Sequence, residues 1–456
     1  MKNPLFPILV ISALSGVVFL ATGAQKTAQP SEPVPAAEYN IYSGNTHSHT
    51  SNTWSHGAHW AKRTDGVKPM KVINGVSHAA KDNPLKPNWK DVQGPPSVHL
   101  ALAKANGFDF YAITDHSQEA CFHPTKADNP AWVAQKRDVL AATNAKFVGI
   151  SAFEHSENNG PDGKGHYNVF NSAEYLNALE EGVDIKYFYK WLPTAKPNGD
   201  GPVVASFNHP GPGAYNNFAY RTPEVTEIIA MYEVLGGSQF NPGRYKGYIT
   251  ALDKGWKVAP VSPLDNHGTE AIKSTKGRAF VLATAKTKAA ILEAMKARRV
   301  YGALYPTIQC RYTVNGKVMG STLDKPNKFQ FDIYINDTAT GNPGRKITRI
   351  DIVTDGGKVV KTHEPKPAHT VRWKPEISDS TSKYYFVRVW SAGGADGQGA
   401  SQEGNEDELD EENAGAKAKG AKAGKGKAAK NGKGGKGKGA DPQDPVALLA
   451  PVWTGR

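Results

Sequence analysis

The sequence predicts an α/β barrel followed by an antiparallel β-sandwich. Between residues 39 and 307, buried-type strands alternate with helical segments, and most of these strands end on a residue that can bind a metal ion. From residue 308 onward, segments such as 329–335 alternate apolar and polar residues and are separated by glycine-rich turns. Barrels collect their functional residues at the C-terminal strand ends, so the first pattern predicts one shared site.

The N-terminal residues predict an exported protein. Lys2 precedes an apolar run from about residue 8 to 20 and small residues at 21–24, which together indicate a signal peptide over residues 1–24. Residues 25–38, rich in Pro and Ala, are interpreted as a linker. The apolar run is short for a membrane span and no second one follows. We therefore expect a periplasmic or extracellular protein without a membrane span after signal cleavage.

The net charge of +12 is unevenly distributed along the chain. Residues 401–412 hold seven acids and no base, whereas residues 416–440 hold nine lysines and no acid. Such segments lack the apolar residues that offset ordering entropy, so we predict a disordered insertion at about 392–441 within a β-domain spanning 308–456. Its lysines could contact anionic polymers weakly. The charge gives no reason to expect a specific nucleic-acid partner.

Two histidines with one residue between them are the first candidate metal ligands. His47 and His49 follow a short β-prone segment, and alternate residues of a strand point to the same side. Imidazole nitrogens suit zinc, iron and manganese. His-x-His also occurs by chance in surface loops, so the pair alone leaves metal binding undecided.

Later strand ends supply more potential ligands. They are Asp115 and His116 in a Thr-Asp-His sequence, Glu154, His166, His209, and the pair Asp265-x-His267. His166 fits least well, because it begins its strand instead of ending it. The recurrence of such residues at successive strand termini predicts a site for several metal ions.

These residues resemble the polymerase and histidinol phosphatase (PHP) superfamily of metal-dependent phosphoesterases over residues 39–307. The stretch Phe108–His116 is similar to the second motif of that family, and the closing Asp265-x-His267 is also typical of it. Residues 298–302, followed by a β-domain, resemble an exported branch. The resemblance implies a distorted (β/α)7 barrel holding two or three divalent transition metals, zinc, manganese or iron. Hydroxide from metal-bound water would hydrolyse a small-molecule or polymer phosphate ester.

The resemblance also implies a role for each candidate. The first metal would be held by His47, His49, Glu154 and Asp265. Glu154 would bridge to a second metal held by His166 and His209. A third metal would be held by His116 and His267, with His56 as the candidate for its remaining ligand and His59 as the rival. The carboxylates with predicted catalytic roles are Asp115, Glu154 and Asp265.

One position departs from the family pattern. The family usually has an acid two residues before the first histidine, where this chain has Asn45. If that acid orients a ligand, Asn45 can still accept a hydrogen bond but brings no charge, so we interpret the site as modified and not inactive. Glu233, near the end of another strand, is predicted either to line the site rim or to be a solvated or structural acid.

Two other functions stay open from the sequence. Amidohydrolase-like barrels, which cleave C–N or C–O bonds, also open with His-x-His. Their usual closing residue is a lone Asp, so Asp265-x-His267 favours the phosphoesterase. The chain could also be a non-catalytic protein that binds an envelope polymer through its β-sandwich. Cys121 and Cys310 are too few for a disulfide framework, and their pairing is left open.

Overall fold

The computed structural model describes residues 34–53, 94–122, 125–157, 163–178, 180–237, 239–339, 345–392 and 444–456. The predicted signal peptide, the candidate ligand His56 and the acidic and lysine-rich insertion after residue 392 lie outside these residues. No helix among the described residues is long and apolar enough to cross a membrane.

The first part of the chain is a mixed α/β structure. Its strands are β1 (Asn40–Asn45), β2 (Phe110–Ile113), β3 (Val148–Glu157), β4 (Gly165–Phe170), β5 (Val204–Asn208), β6 (Ile229–Glu233), β7 (Leu235–Gly236), β8 (Gln239–Phe240), β9 (Ala259–Val261), β10 (Arg278–Ala283) and β11 (Val300–Ala303). The helices are α1 (Pro96–Ala105), α2 (Pro130–Ala142), α3 (Ile185–Trp191), α4 (Pro223–Ile228), α5 (Pro242–Asp253), α6 (Glu270–Ser274) and α7 (Lys288–Lys296).

Several of these helices begin where the sequence supplies a capping side chain. Asn129, Asp184 and Thr222 each accept a backbone N–H from the first turn of α2, α3 and α4. Asn241 and Thr287 do the same for α5 and α7. Such caps satisfy amide groups that have no partner inside the helix, which fixes where each helix starts after its strand.

The second part consists of antiparallel strands, as predicted. They are β12 (Ile308–Val314), β13 (Lys317–Val318), β14 (Lys328–Asp337), β15 (Lys346–Thr354), β16 (Lys358–His363), β17 (Thr370–Trp373), β18 (Glu376–Ser378), β19 (Tyr384–Ala392), β20 (Ala447–Leu449) and β21 (Val452–Trp453). Along β14, residues buried in the core alternate with more exposed ones. Inward side chains of β14 and β19, such as Ile333 and Val387, belong to one hydrophobic core.

One large sheet runs through both parts. Its strand order is β16-β15-β19-β20-β11-β10-β1-β2-β3-β4-β5-β6-β9. The strand β20, predicted to belong to the β-sandwich alone, pairs with both β19 and β11 and so joins the two parts. The described chain from Val34 to Arg456 accordingly forms one compact unit.

The segments that follow β1 and β9 come together, although these two strands are far apart in the order of the large sheet. The backbone N–H of Asp265 donates to the carbonyl of His47 at 3.0 Å, and the N–H of His49 donates to the carbonyl of Asn266 at 2.9 Å. Ser48 and Asn266 form an isolated parallel bridge. The segments that follow β1 and β9 therefore lie side by side, and the candidate ligands on both are brought to one place.

Strand direction explains the position of His166. β4 runs antiparallel to both β3 and β5, whereas β1, β2 and β3 are mutually parallel. His166 pairs in register with Ser156 on one side and Asn208 on the other. The beginning of β4 thus lies beside the ends of its neighbours, so a ligand at a strand start still faces the shared site.

Candidate metal centre

The segment that carries the first histidines is held tightly against β2. A Cβ on Gly44 would lie 2.4 Å from the ring and carbonyl of Phe110, so only glycine permits this approach. Ser48 donates through its hydroxyl to the carbonyl of Ala112 at 2.6 Å. His47 and His49 are fully buried as a result.

The predicted ligands converge into four overlapping groups, within each of which the possible ligand atoms lie within 4.8 Å of one another. The groups are His47/His49/Glu154, His47/His209/Asp265, Glu154/His166/His209 and His49/His116/His267. The first two contain the four residues predicted for the first metal, and the third is the set predicted for the second metal. In the fourth, His49 accompanies the two predicted histidines. His56, the predicted partner there, lies outside the described residues.

Glu154 lies at the centre of these groups. Its Oε1 is 3.3 Å from Nε2 of both His47 and His209, and its Oε2 is 2.9 Å from His116 Nε2. Asn208 donates to Oε1 at 2.8 Å and thereby fixes the carboxylate. A buried carboxylate shared among several imidazoles is the arrangement expected of a bridging metal ligand.

Two of the predicted ligands have backbone conformations that non-glycine residues rarely adopt. The φ angles are +50° at Asp265 and +27° at His209. Such conformations cost energy and persist where the surrounding structure imposes them, typically at functional sites. The segment after His209 continues this trend, with positive φ at Gly213, Tyr215, Asn216, Asn217, Phe218 and Tyr220.

The Asn45 side chain both donates and accepts hydrogen bonds. Its Nδ2 donates to the carbonyl of His47 at 2.7 Å, and its Oδ1 accepts the backbone N–H groups of Leu264 at 2.9 Å and of His47 at 3.3 Å. Asn45 therefore ties the end of β1 to the segment after β9. At the other nitrogen of the His47 ring, Nδ1, lies the carboxylate of Glu233 at 2.8 Å; Glu233 is buried and not at a rim.

Asp115, predicted to be catalytic, faces the loop that follows His49. Its carboxylate accepts the backbone N–H and the hydroxyl of Thr50, at 2.6 and 2.7 Å, and the hydroxyl of Thr53 at 3.0 Å. Burial raises the pKa of Asp115 despite these hydrogen bonds. The Thr53 hydroxyl also lies 3.4 Å from His49 Nδ1. Asp115 thus holds the loop through which the His49 ring is oriented.

Glu119 is a site residue that the sequence reasoning missed. It is buried, and its carboxylate lies 3.5 Å from His116 Nδ1 while His116 Nε2 faces Glu154. Carboxylates commonly orient metal-binding histidines through the second ring nitrogen. An acid three residues after His116 could have been noticed from sequence, because a turn after a strand brings such residues back to the same side.

The histidines of the cluster have pKa values shifted in opposite directions. Burial alone would lower the pKa of His116, but Glu119 and Glu154 raise it to about 10. Burial also lowers the pKa of His209, but the carboxylates of Glu154, Asp265 and Glu233 have the larger effect and raise it to about 9. Burial and the neighbouring His116 lower the pKa of His49 to about 3.

The two central carboxylates stay ionised. Burial disfavours their charge, but the adjacent histidines, His47 first among them, hold the pKa of Glu154 and of Asp265 well below the usual range. Ionised carboxylates among imidazoles in a buried pocket form a donor set that suits divalent transition metals, and cations would take the place of the protons. The residues present therefore fit metal binding.

Residues outside the cluster have structural roles. His155, on the opposite face of β3, stacks on Phe188 with ring centroids 4.4 Å apart, as its position in the strand predicts. The sequence shows no ligand pattern around His99 and so predicts a surface position, but this prediction is wrong, because His99 is fully buried in α1. No disulfide joins Cys121 and Cys310.

Comparisons with known proteins give one distant structural neighbour to report. No protein-family model matches the sequence. No curated protein matches it either. The solved structure of a two-domain protein containing a predicted PHP-like metal-dependent phosphoesterase, from Bacteroides vulgatus, matches with a TM-score of 0.40 and 14% identity, over 81% of this chain and 100% of that chain. At these values nothing about that protein's activity transfers to this chain, and the case for a metal centre rests on the buried His and Glu cluster itself.

Proposed function

We propose that this protein is an exported metal-dependent phosphoesterase. The observation that carries the proposal is the set of four overlapping ligand groups, two of which share the buried carboxylate of Glu154. Overlap of this kind suits neighbouring cations better than a single one, because one carboxylate can serve two of them. Export is proposed from the N-terminal sequence, and the closed (β/α)7 barrel from the pairing of the segments after β1 and β9.

Cations bound in such a cluster would supply positive charge for the phosphoryl oxygens and would acidify a water molecule near neutral pH. The protein residues supply binding and orientation. His47, His49, Glu154 and Asp265 are the proposed ligands of one ion, Glu154, His166 and His209 of a second, and His116 and His267 with a further ligand of a third. Asn208 and Asp115 keep Glu154 and the loop after His49 in place.

Asp265 is the carboxylate best placed to accept a proton during hydrolysis. Its side chain is 20% exposed, whereas that of Glu154 is fully buried, so Asp265 is the more accessible of the two carboxylates. Its low pKa keeps it ionised at neutral pH. Asp115, in contrast, is engaged by three loop residues and acts on the site through them.

The test is hydrolysis of aryl phosphate mono- and diesters by protein loaded with manganese, zinc or iron. We expect turnover that chelator removes and that one of the metals restores. Equal rates with and without chelator would contradict the proposal. A panel of amides and lactones in the same assay tests for cleavage of C–N or C–O bonds. Turnover of these substrates and not of the phosphate esters would favour the amidohydrolase-like alternative. Protein that carries no transition metal after growth in supplemented medium would support a non-catalytic binding role.

A further inference from the structure

Glu233, at the end of β6, contacts two of the proposed ligands at once. Its Oε1 lies 2.8 Å from Nδ1 of His47, and its Oε2 accepts the backbone N–H of His209 at 2.7 Å. The side chain is fully buried. Buried polar groups are nearly always hydrogen-bonded, and this one carboxylate serves a donor on each of the two ligands.

The first contact decides which nitrogen of His47 is available to a metal. A neutral imidazole donates from one nitrogen and accepts at the other. With Nδ1–H directed at Glu233, the lone pair is on Nε2, which lies 3.3 Å from both Glu154 and Asp265. Glu233 thus selects the tautomer in which His47 presents its free lone pair to the cluster.

The second contact supports an unusual main-chain conformation. His209 has a φ of +27°, which for a non-glycine residue persists only under an external constraint. Its N–H donates to Glu233, so the carboxylate satisfies a backbone donor in that conformation. The His209 ring is then directed at Glu154, with Nε2 3.3 Å from Oε1.

We propose that Glu233 is a positioning residue that sets the geometry of two metal ligands, one through its ring and the other through its backbone. The inference rests on the metal-binding part of the proposed function and is independent of the substrate.

The chemistry of the two contacts requires a carboxylate. Both partners donate, so residue 233 must accept twice. A glutamine of the same length has one oxygen and one NH2 group. In Glu233→Gln, one of the two contacts would therefore place donor against donor, and either the His47 tautomer or the His209 backbone would lose its support.

The experiment compares E233Q and E233A with the wild type in Co²⁺ and Mn²⁺ binding, measured by competition with a chelator and by the visible absorption of bound Co²⁺. We expect both variants to bind about 10–100-fold more weakly, the usual range for partners that orient metal ligands, and the Co²⁺ spectrum to change. D337N is the matched control, because Asp337 is equally a buried acid but pairs with Arg345 in the β-domain. Its Co²⁺ spectrum should equal that of the wild type.

A second arm needs no metal. The Nδ1 proton of His47, shared with a buried carboxylate, should give a downfield proton NMR signal in the chelated wild type that is lost in H47A and lost or moved in E233A. Wild-type metal affinity and spectrum in E233Q, or an unchanged signal in E233A, would overturn the inference. Altered metal binding in E233Q together with a wild type inactive on every phosphate ester would retain the inference and reject the proposed activity.

Discussion

Replacing Gly165 with alanine should weaken both the fold and the proposed second metal group. Gly165 begins β4, directly before His166, and a Cβ built on it would lie 2.2 Å from two ring carbons of Tyr215. The Tyr215 hydroxyl in turn lies 2.6 Å from the carbonyl of His166 and 2.8 Å from that of Asn208. Because carbon atoms normally approach to about 3.5–4.0 Å, the ring would have to move by more than about 1 Å.

The expected cost follows from three contributions. Overpacking a filled core costs about 1–3 kcal/mol. Loss of the tyrosine hydrogen bond adds about 0.5–1.5 kcal/mol, counted once because a hydroxyl has one proton to donate. Alanine lowers the conformational entropy of the unfolded chain relative to glycine, which stabilises the folded protein by about 0.4–1 kcal/mol. The net expectation for Gly165→Ala is a loss of about 2 kcal/mol in the free energy of unfolding.

Denaturant unfolding of the chelated protein measures this loss without interference from bound metal. Gly211→Ala is the control, since Gly211 is exposed and an added Cβ would meet no atom within 4 Å. We expect the control to be neutral or slightly stabilised. Metal analysis of reloaded G165A should show a reduced metal content, because Tyr215 anchors the main chain at His166 and beside His209. A G165A protein as stable as G211A would refute the packing that we describe around Tyr215.

Three further predictions concern the cluster and the insertion. Glu154→Gln should reduce phosphoesterase turnover and metal affinity by at least about 100-fold, because Glu154 belongs to two ligand groups. The control is Ser156→Ala, which removes only a 3.4 Å contact to the same carboxylate and should change turnover and metal affinity much less. Metal affinity should rise with pH up to about 9–10, because the pKa values of His209 and His116 are raised to about 9 and 10 and cations must displace the protons that these histidines bind. Calorimetry in buffers of different ionisation enthalpy should detect the release of these protons at pH 7. A metal affinity that does not change from pH 7 to 9 would contradict this prediction. Removing residues 399–439 should leave turnover and melting temperature nearly unchanged, because the flanking strands β19 and β20 pair directly with each other and a short connection can join them. A large fall in turnover or in melting temperature would show that the removed segment is structural.

The strand ends were the part of the site that the sequence could predict. His47, His49 and His209 follow buried β-type segments, and strand ends that share one edge of a sheet bring such residues together. Glu154 was predicted to end its strand, but β3 continues to Glu157. The mixed α/β character and the antiparallel C-terminal strands were predicted for the same reason, because apolar periodicity is a local property of the chain.

Direction and long-range pairing could not be obtained from local patterns. Nothing in Gly165–Phe170 itself shows that β4 runs antiparallel to its neighbours, which is what brings His166 to the site. Glu233 is 186 residues from His47, so their contact depends on the whole sheet being assembled. No local pattern around Glu233 indicates that its carboxylate lies 2.8 Å from the His47 ring.

The pairing of β20 also has a consequence for the order in which this protein can fold. β11 ends at Ala303, but its neighbour begins at Ala447, so the large sheet stays divided until the nascent chain has extended past the insertion. Until then β11 and β19 each present an unpaired edge, the kind of surface that recruits other chains. Pairing between such distant segments is also slow to form. Chains shortened before residue 444 should therefore accumulate as aggregates even though every proposed metal ligand is present in them.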